Sequence, residues 1–342
     1  QSRNTAEDAL ADIAALRALA EGQIGLKLRT REGAEGALGL KFYSKGGAIA
    51  LSDRVPMLEH FGFKVIDERT YTVVPRDGIE RFIHDMVLAP ASGGELNVAL
   101  RGKAIEDGLL AVWAGLAESD QINTLVTQAG LDWTEAALLR ALSRYLRQIA
   151  ISYSQRYIAQ VLVTQAEAAK ALVTLFAALH DPKLESRGMA EAAARDTIAA
   201  QLEATSSLDE DTIIRRFLNL MDASLRTNAF QRDETGARRP ALAIKFDSAA
   251  VAGMVAPRPY REISVYSPRV EGVHLRFGAI ARGGIRWSDR PEDFRTEVLG
   301  LVKAQQVKNA VIVPVGSKGG FYPKCLPRGG DREAIQAEAI RA

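Results

Sequence analysis

The feature of the sequence that most constrains the fold is the stretch EAALLRALSRYLRQIAISYSQRYIAQVLVTQAEAAKALVTLFAALH at 135–180, in which apolar residues recur every three or four positions. This spacing places apolar side chains on one face of an α-helix. The pattern ends at HDPK, where Pro182 cannot continue a helix. Helical patterns also flank the stretch, so the sequence predicts a nearly all-helical segment at 103–230.

The residues before this segment show strand-like patterns instead. Strand-like alternation or β-branched and aromatic content marks four stretches, GLKLRT, LGLKFYS, FKVIDERTYTVV and ERFIHDMVLA. The stretch LSDRVPMLEHFG among them predicts a helix that Ser52 or Asp53 caps and Gly62 ends. With an N-terminal helix at 5–20, these elements predict a small α+β domain of the ferredoxin-like kind at 1–102.

Strands return after a polar, turn-rich linker at 231–240. ALAIKFDS, REISVYS and VHLRFGAIA read as strands, and the remainder reads as a strand, a glycine turn, a helix, a short strand and a loop that carries Lys318. This third region, 231–342, predicts part of an α/β domain. The fold class expected for the whole chain is therefore α+β and α/β, multidomain.

Composition excludes several function classes. The 342 residues are 47% hydrophobic and 25% charged, and the net charge is +2. The overall charge therefore gives no reason to expect binding to nucleic acid or to a membrane. No apolar run approaches the roughly 20 residues of a membrane span, and no signal peptide is visible. The single cysteine, Cys325, excludes a disulfide framework, fits the cytoplasm and is expected to be a buried thiol. The four histidines show no metal-ligand spacing.

Cations are concentrated near the C-terminal end. Residues 276–324 contain nine lysines and arginines against four acids. The lysine of VPVGSKGGF, Lys318, does not open a P-loop, which needs an earlier glycine and a Ser or Thr after the lysine. Arg282, Lys308 and Lys318 fall at the ends of predicted elements, where side chains reach into clefts. Converging cations suit a dicarboxylate substrate and could lower the pKa of one lysine until it serves as a base. A solvated basic face is the alternative.

The stretch ARGGIRWSDRPEDFRTEVLGLVKAQQVKNAVIVPVGSKGGF, with PYREISVYSPRVEGVHLRFG before it, resembles the large multidomain NAD-dependent glutamate dehydrogenases of bacteria. The earlier stretch KFYSKGGAIALSDRVPMLEHFGFKVIDERTY is similar to the regulatory, ACT-like region that precedes their catalytic domain. The smaller hexameric glutamate dehydrogenases show a more distant resemblance. The resemblance covers most of the chain, and the helical middle is its least distinctive part.

The resemblance implies roles for six residues. Lys318 corresponds to the catalytic lysine, and Lys308 to the lysine that holds the substrate α-carboxylate. Arg282 stands where the hexameric enzymes have a lysine for the side-chain carboxylate, and it presents a planar fork instead of a point charge. Gln305 falls on another substrate-side position, and Gly283 and Gly284 form the glycine pair that follows Arg282. The gap between Lys308 and Lys318 is shorter than in the hexameric pattern.

The resemblance also implies oxidative deamination of L-glutamate to 2-oxoglutarate and ammonia, with hydride transfer to NAD, in a cytoplasmic homo-oligomer. The acid–base aspartate and the Rossmann domain that binds NAD are expected beyond Ala342. Because the sequence starts at Gln1 and stops within a helical pattern, we expect a piece of a longer polypeptide that is inactive alone. An alternative is a regulatory or assembly module that binds an amino acid through the ACT-like domain without catalysis.

Overall fold

The computed structural model describes residues 5–31, 36–308, 316–329 and 331–342, with the side chains of all but 305–308 among them. The chain forms two compact units, Gln1–Ala136 and Ala137–Ala342. The predicted domain boundaries at 102/103 and 230/231 stay predictions.

The first unit is built from four strands and several helices. In chain order they are α1 (Ala6–Ala18), β1 (Ile24–Thr30), β2 (Leu38–Lys45), α2 (Leu51–His60), β3 (Phe63–Val73), β4 (Arg81–Pro90), α3 (Val98–Trp113), a 3-10 turn (Gln121–Asn123) and α4 (Thr124–Gln128). The four predicted strands and the helix among them are therefore confirmed. The third helix begins at Val98, a few residues before the predicted helical segment.

The strands of the first unit form one antiparallel sheet in the order β1-β2-β4-β3. Alternation along β2 gives the sheet two covered faces. Lys41 and Tyr43 face α1, since both contact Asp12 of that helix. Leu40 and Phe42, both fully buried, point to the opposite face, on the side of the sheet where α2 and α3 pack.

The second unit combines helices with a larger sheet. Its elements are α5 (Trp133–Gln148, within which the two units divide), α6 (Gln155–Thr164), α7 (Ala166–His180), α8 (Arg187–Ala204), α9 (Leu208–Ala223), β5 (Ser224–Thr227), β6 (Leu242–Phe246), β7 (Arg261–Tyr266), β8 (Val270–Arg276), β9 (Ile285–Trp287), α10 (Phe294–Lys308), β10 (Ser317–Pro323) and α11 (Arg332–Arg341). The helical pattern at 135–180 therefore folds as three helices, and the last ends at His180 as predicted.

The second sheet has the strand order β5-β6-β7-β8-β10-β9. Its neighbours are antiparallel except β9 and β10, which run parallel. One face packs on helices: the ring of Tyr145 in α5 stacks on Phe246 with centroids 4.6 Å apart, and Val298 of α10 joins a buried cluster with Val273 and Leu275. The core of this unit therefore lies between the sheet and the helices α5 and α10.

Two chain-wide properties bear on function class. Among the described residues, no single helix is long and apolar enough to cross a bilayer; α6 and α7 meet that test only together, as a pair bent by 96°. Within the same residues, no group of three or more His, Cys, Asp or Glu side chains is arranged to hold a metal ion.

Candidate active site

Lys318 lies in strand β10, the fifth of the six strands of the second sheet. On one side, Lys318 pairs with Leu275 of β8. On the other side, the next residue of β10, Gly319, pairs with Ile285, the first residue of β9. The sequence-based placement of Lys318 in a loop is therefore wrong. Hydrogen-bonded neighbours on both sides hold the glycine-rich stretch extended, which outweighs the low strand propensity of glycine.

The side chain of Lys318 belongs to the sheet face that α10 covers. A Cβ atom at Gly320 would lie 2.2 Å from Cγ2 of Val298 in α10, so position 320 faces that helix. Side chains two residues apart share a face, which places Lys318 and Tyr322 on the same side. Tyr322 packs against the buried cluster that contains Val298. Lys318, two residues before Gly320 on the same side of the strand, is half-buried.

The glycine pair runs beside the start of β10. The N–H of Ser317 donates to the Arg282 carbonyl at 3.1 Å, and the N–H of Gly319 donates to the Gly284 carbonyl at 3.0 Å. Between them, a Cβ atom at Gly283 would lie 1.4 Å from the Ser317 carbonyl oxygen. Only glycine permits this approach, so Gly283 has a packing role that holds the Arg282 segment against β10.

Beside Lys318 on the sheet, the described residues leave a position open. Arg282 bridges Gly316 and Ile285 pairs with Gly319 in the same parallel register, so Gly284 stands opposite Lys318. Among the described residues, a Cβ atom at Gly284 would meet nothing within 4 Å. Arg282 is exposed, two residues away along the same segment. The described residues therefore leave room over Gly284, next to Lys318 and the Arg282 segment.

The two remaining predicted residues lie at the end of α10. Gln305 and Lys308 occupy its last turn, and their side chains lie outside the described residues, as does the apolar run at 309–315. The helix is held to the sheet by the fully buried Val302 and by Val298. Lys308 thus ends the helix whose inner face packs on the strand of Lys318.

A buried ion pair fixes the other end of α10. Arg295, in its first turn, donates from Nε and Nη2 to the carboxylate of Glu262 at 2.6 and 2.8 Å, and both side chains are almost fully buried. The Gln148 side-chain oxygen accepts from the Arg295 N–H at 3.1 Å. The helix begins at Phe294, directly before Arg295, so these contacts hold its first turn against β7 and α5.

The segment between β9 and α10 is also held by charge. Glu297 accepts from the Ser288 hydroxyl at 2.6 Å and pairs with the Arg286 guanidinium at 2.6 Å. The Ser288 hydrogen bond and then Arg286 keep the pKa of Glu297 below its usual value. Arg286 therefore positions the chain beyond the glycine pair.

One polar contact, that of Lys324, was not predicted from the sequence, and the burial of the Cys325 thiol was predicted wrongly. Lys324 donates to the buried Glu271 at 3.2 Å, and its Nζ lies 4.6 Å from the Tyr266 ring centroid. The two partners are far apart in sequence, so no local pattern signals the contact. Cys325 was expected to be buried, which is wrong: its thiol is exposed, because it follows the end of β10 on the surface.

The first unit buries two polar clusters. In one, Lys41 and Tyr43 both bind Asp12, and burial together with that hydrogen bond raises the pKa of Tyr43. In the other, Arg54 pairs with Glu68 at 2.7 Å beside His84. Because these groups pair with one another within the unit, we assign them a structural role.

Comparison with known proteins gives the family of the chain. The family model for the catalytic domain of bacterial NAD-glutamate dehydrogenase matches residues 197–342. Those for glutamate dehydrogenase helical motif 3 and for the ACT3 domain match 117–182 and 23–100. The chain belongs to the bacterial NAD-glutamate dehydrogenase family. The resemblance stated from the sequence is thereby confirmed.

Curated relatives of this family share high identity. The NAD-specific glutamate dehydrogenase of Halomonas elongata is 50% identical over 298 residues, covering 86% of this chain and 18% of the relative. That of Pseudomonas aeruginosa is 47% identical, covering 85% and 18%, and that of Mycobacterium tuberculosis is 44% identical, covering 98% and 21%. The chain thus spans about a fifth of the length of these glutamate dehydrogenases.

Proposed function

We propose that this chain contributes part of the substrate site to an NAD-dependent glutamate dehydrogenase. The reaction is oxidative deamination of L-glutamate to 2-oxoglutarate and ammonia, with reduction of NAD. The observation that carries the proposal is the half-buried Lys318 opposite Gly284, where the described residues leave space, beside the Arg282 segment and in a region that the catalytic family model matches. The match to that model favours the enzyme over a purely regulatory module.

Each of the six residues has a role in this proposal. Lys318 takes a proton from the water that attacks the iminium carbon and stabilises the oxygen that this attack creates, as a positioned amine does in general acid–base catalysis. Arg282 binds the distal carboxylate by a two-pronged contact, and Lys308 binds the α-carboxylate. Gln305 lines the substrate side of the helix end. Gly283 and Gly284 bring the Arg282 backbone close and leave room for substrate.

NAD would accept the hydride in this reaction. The described strands offer it no cradle: the first sheet is wholly antiparallel, and in the second the one parallel pair, β9 and β10, is joined by α10 through the turn SDRPED, which lacks the glycines that a dinucleotide site needs between strand and helix. We therefore assign no NAD-binding residue in this chain. What its own residues do is fix the two carboxylates, and so the direction in which the Cα hydrogen of glutamate points.

We also propose the finer features that the resemblance implies. The first unit is a ferredoxin-like, ACT-like domain with the element order α1-β1-β2-α2-β3-β4-α3, whereas the ferredoxin-like order β-α-β-β-α-β places a strand last. The enzyme works as a homo-oligomer in the cytoplasm, which fits the single, exposed cysteine.

The test uses a full-length glutamate dehydrogenase that carries this sequence. Lys318→Ala should lower kcat by roughly 10²–10⁴-fold, the usual contribution of a positioned acid–base group. NAD affinity should be unchanged. Lys318→Arg should fail as well, because a guanidinium stays protonated. Lys303→Ala, on the exposed side of α10, is the matched control and should retain activity. Near-normal turnover of Lys318→Arg would overturn the role of Lys318.

A further inference from the structure

The second sheet has a face that no described helix covers. It lies opposite α5 and α10, and strand alternation and register assign its members. We call it the outer face, and its residues are Arg226, Lys245, Arg261, Ile263, Val265, His274, Arg276, Ile285, Trp287 and Phe321.

Burial separates the two faces of the sheet. On the covered face, Phe246 and Leu275 are fully buried. On the outer face, Ile263 and Phe321 are half-buried, and Trp287 is 39% exposed. Contiguous exposed apolar surface on a sheet marks an interaction site.

The outer face carries unbalanced positive charge. Arg226 stands directly opposite Lys245, and Arg261 directly opposite Arg276. Like charges in such cross-strand pairs destabilise a sheet. Arg261 alone has a carboxylate partner, Asp247 at 2.9 Å. Within the described part of the chain, no carboxylate forms an ion pair with Arg226, Lys245 or Arg276.

Two pKa values agree with this placement. The pKa of Lys245 is lowered, first by burial and then by Arg226, Arg276 and Arg261. The pKa of His274 is lowered by burial and by Arg276. Carboxylates supplied from outside would relieve the repulsion among these cations.

The dimensions of the face discriminate between ligands. From β5, which carries Arg226, to β9 it crosses five strand spacings, about 24 Å at the usual 4.8 Å each. A helix of about 16 residues covers that distance at 1.5 Å per residue. Basic residues lie at one end and Trp287 with Phe321 at the other. A lone phosphate would leave the apolar end uncovered. The outer face of a second copy of this chain would place cations against cations.

We propose that the outer face docks an acidic, amphipathic helix from another part of the complete enzyme. Its carboxylates meet Arg226, Lys245 and Arg276, and its apolar side chains cover Ile263, Phe321 and Trp287. The relatives are about five times as long as this chain, so such a segment has ample sequence to come from. This docking does not depend on the roles proposed for the active site.

The test is zero-length cross-linking of the purified full-length enzyme with a carbodiimide, which joins an amine to a carboxylate in direct contact. We expect an amide between Lys245 and an Asp or Glu in a segment with helical apolar spacing. Lys245→Arg, which keeps the charge but offers no reactive amine, should abolish this product and no other. Mixing isotope-labelled with unlabelled enzyme distinguishes a helix of the same subunit from one of a neighbouring subunit.

A second measurement guards against poor cross-linking yield. An uncovered amine with a lowered pKa is acetylated faster than an ordinary surface lysine, so slow acetylation of Lys245 relative to the exposed Lys170 means that it is covered. Fast acetylation of Lys245, with no cross-link except to Asp247, would overturn the proposal. Protection of Lys245 by inorganic phosphate without a cross-link would also overturn it, in favour of a small anion.

Discussion

Gly283 approaches the Ser317 carbonyl so closely that a Cβ atom at position 283 would lie 1.4 Å from its oxygen. Real Cβ atoms do not come within 3.0 Å of such an atom. Because glycine has a hydrogen atom in place of Cβ, the segment that carries Arg282 can lie beside the strand that carries Lys318.

We expect Gly283→Ala to separate these two segments. Overpacking of this kind typically costs about 1–3 kcal/mol, and the backbone oxygen cannot rotate away as a side chain would. Thermal unfolding should show a lowered Tm, and activity of the full-length enzyme should fall with it. Gly284→Ala is the matched control for stability, since a Cβ there meets nothing within 4 Å. Equal Tm values for the two variants would contradict the close approach.

The sequence predicted more of the fold than of the site. Local signals sufficed where structure is local: the helical pattern ends at His180, two residues before Pro182, as the sequence predicted. They failed where distant residues decide, as for Lys318, whose glycine-rich surroundings indicated a loop until two flanking strands made it a strand. Capping of α2 by Ser52 or Asp53 was also wrong, because that helix starts after Ala50, ahead of both residues.

The site was found mainly through the family resemblance. Charge and spacing indicated a basic region with two possible meanings, and only the motif around Lys318 distinguished them. The open position at Gly284 depends on register between strands that are more than thirty residues apart in sequence. Residue composition carries no information on such a register.

Breaking the Arg295–Glu262 pair should unfold the second unit at lower denaturant concentration. Arg295→Met leaves the Glu262 carboxylate, which is 0% exposed, buried without its partner. Removal of one partner of a buried pair costs about 3–5 kcal/mol. The double variant Arg295→Met with Glu262→Leu should recover most of that loss, which urea unfolding measures. A double variant as unstable as the single one would show that the charge of Glu262 is not the cause.

The first unit should lose stability on acidification through His84. Burial, then Arg54, lowers the pKa of His84, whose Nε2 accepts from the Ile49 N–H at 3.2 Å. Because the folded pKa lies below the unfolded value of about 6.5, the unfolded state binds more protons below that pH, and stability falls as pH decreases. The slope for one histidine is at most about 1.4 kcal/mol per pH unit.

Hydrogen exchange of the β2 and β4 amides, corrected for intrinsic rates, measures this dependence. Protection should decrease between pH 7.5 and pH 5.5 in the unmodified protein, and His84→Gln should flatten that decrease. His60→Gln serves as the control, because the His60 ring bonds the exposed Ser119 hydroxyl at 2.9 Å. A flat profile in the unmodified protein would refute the assignment.

Arg282 should determine selectivity for a second carboxylate. In the full-length enzyme, Arg282→Ala should weaken glutamate far more than norvaline, which has the same backbone but no distal carboxylate. Loss of a charge-assisted, two-pronged contact costs about 1.5–3 kcal/mol, or roughly ten- to a hundredfold in affinity. Arg286→Ala is the matched control: its guanidinium pairs with Glu297, so both substrates should be affected alike. Equal losses for both substrates with Arg282→Ala would mean that this arginine only supports the chain beside β10.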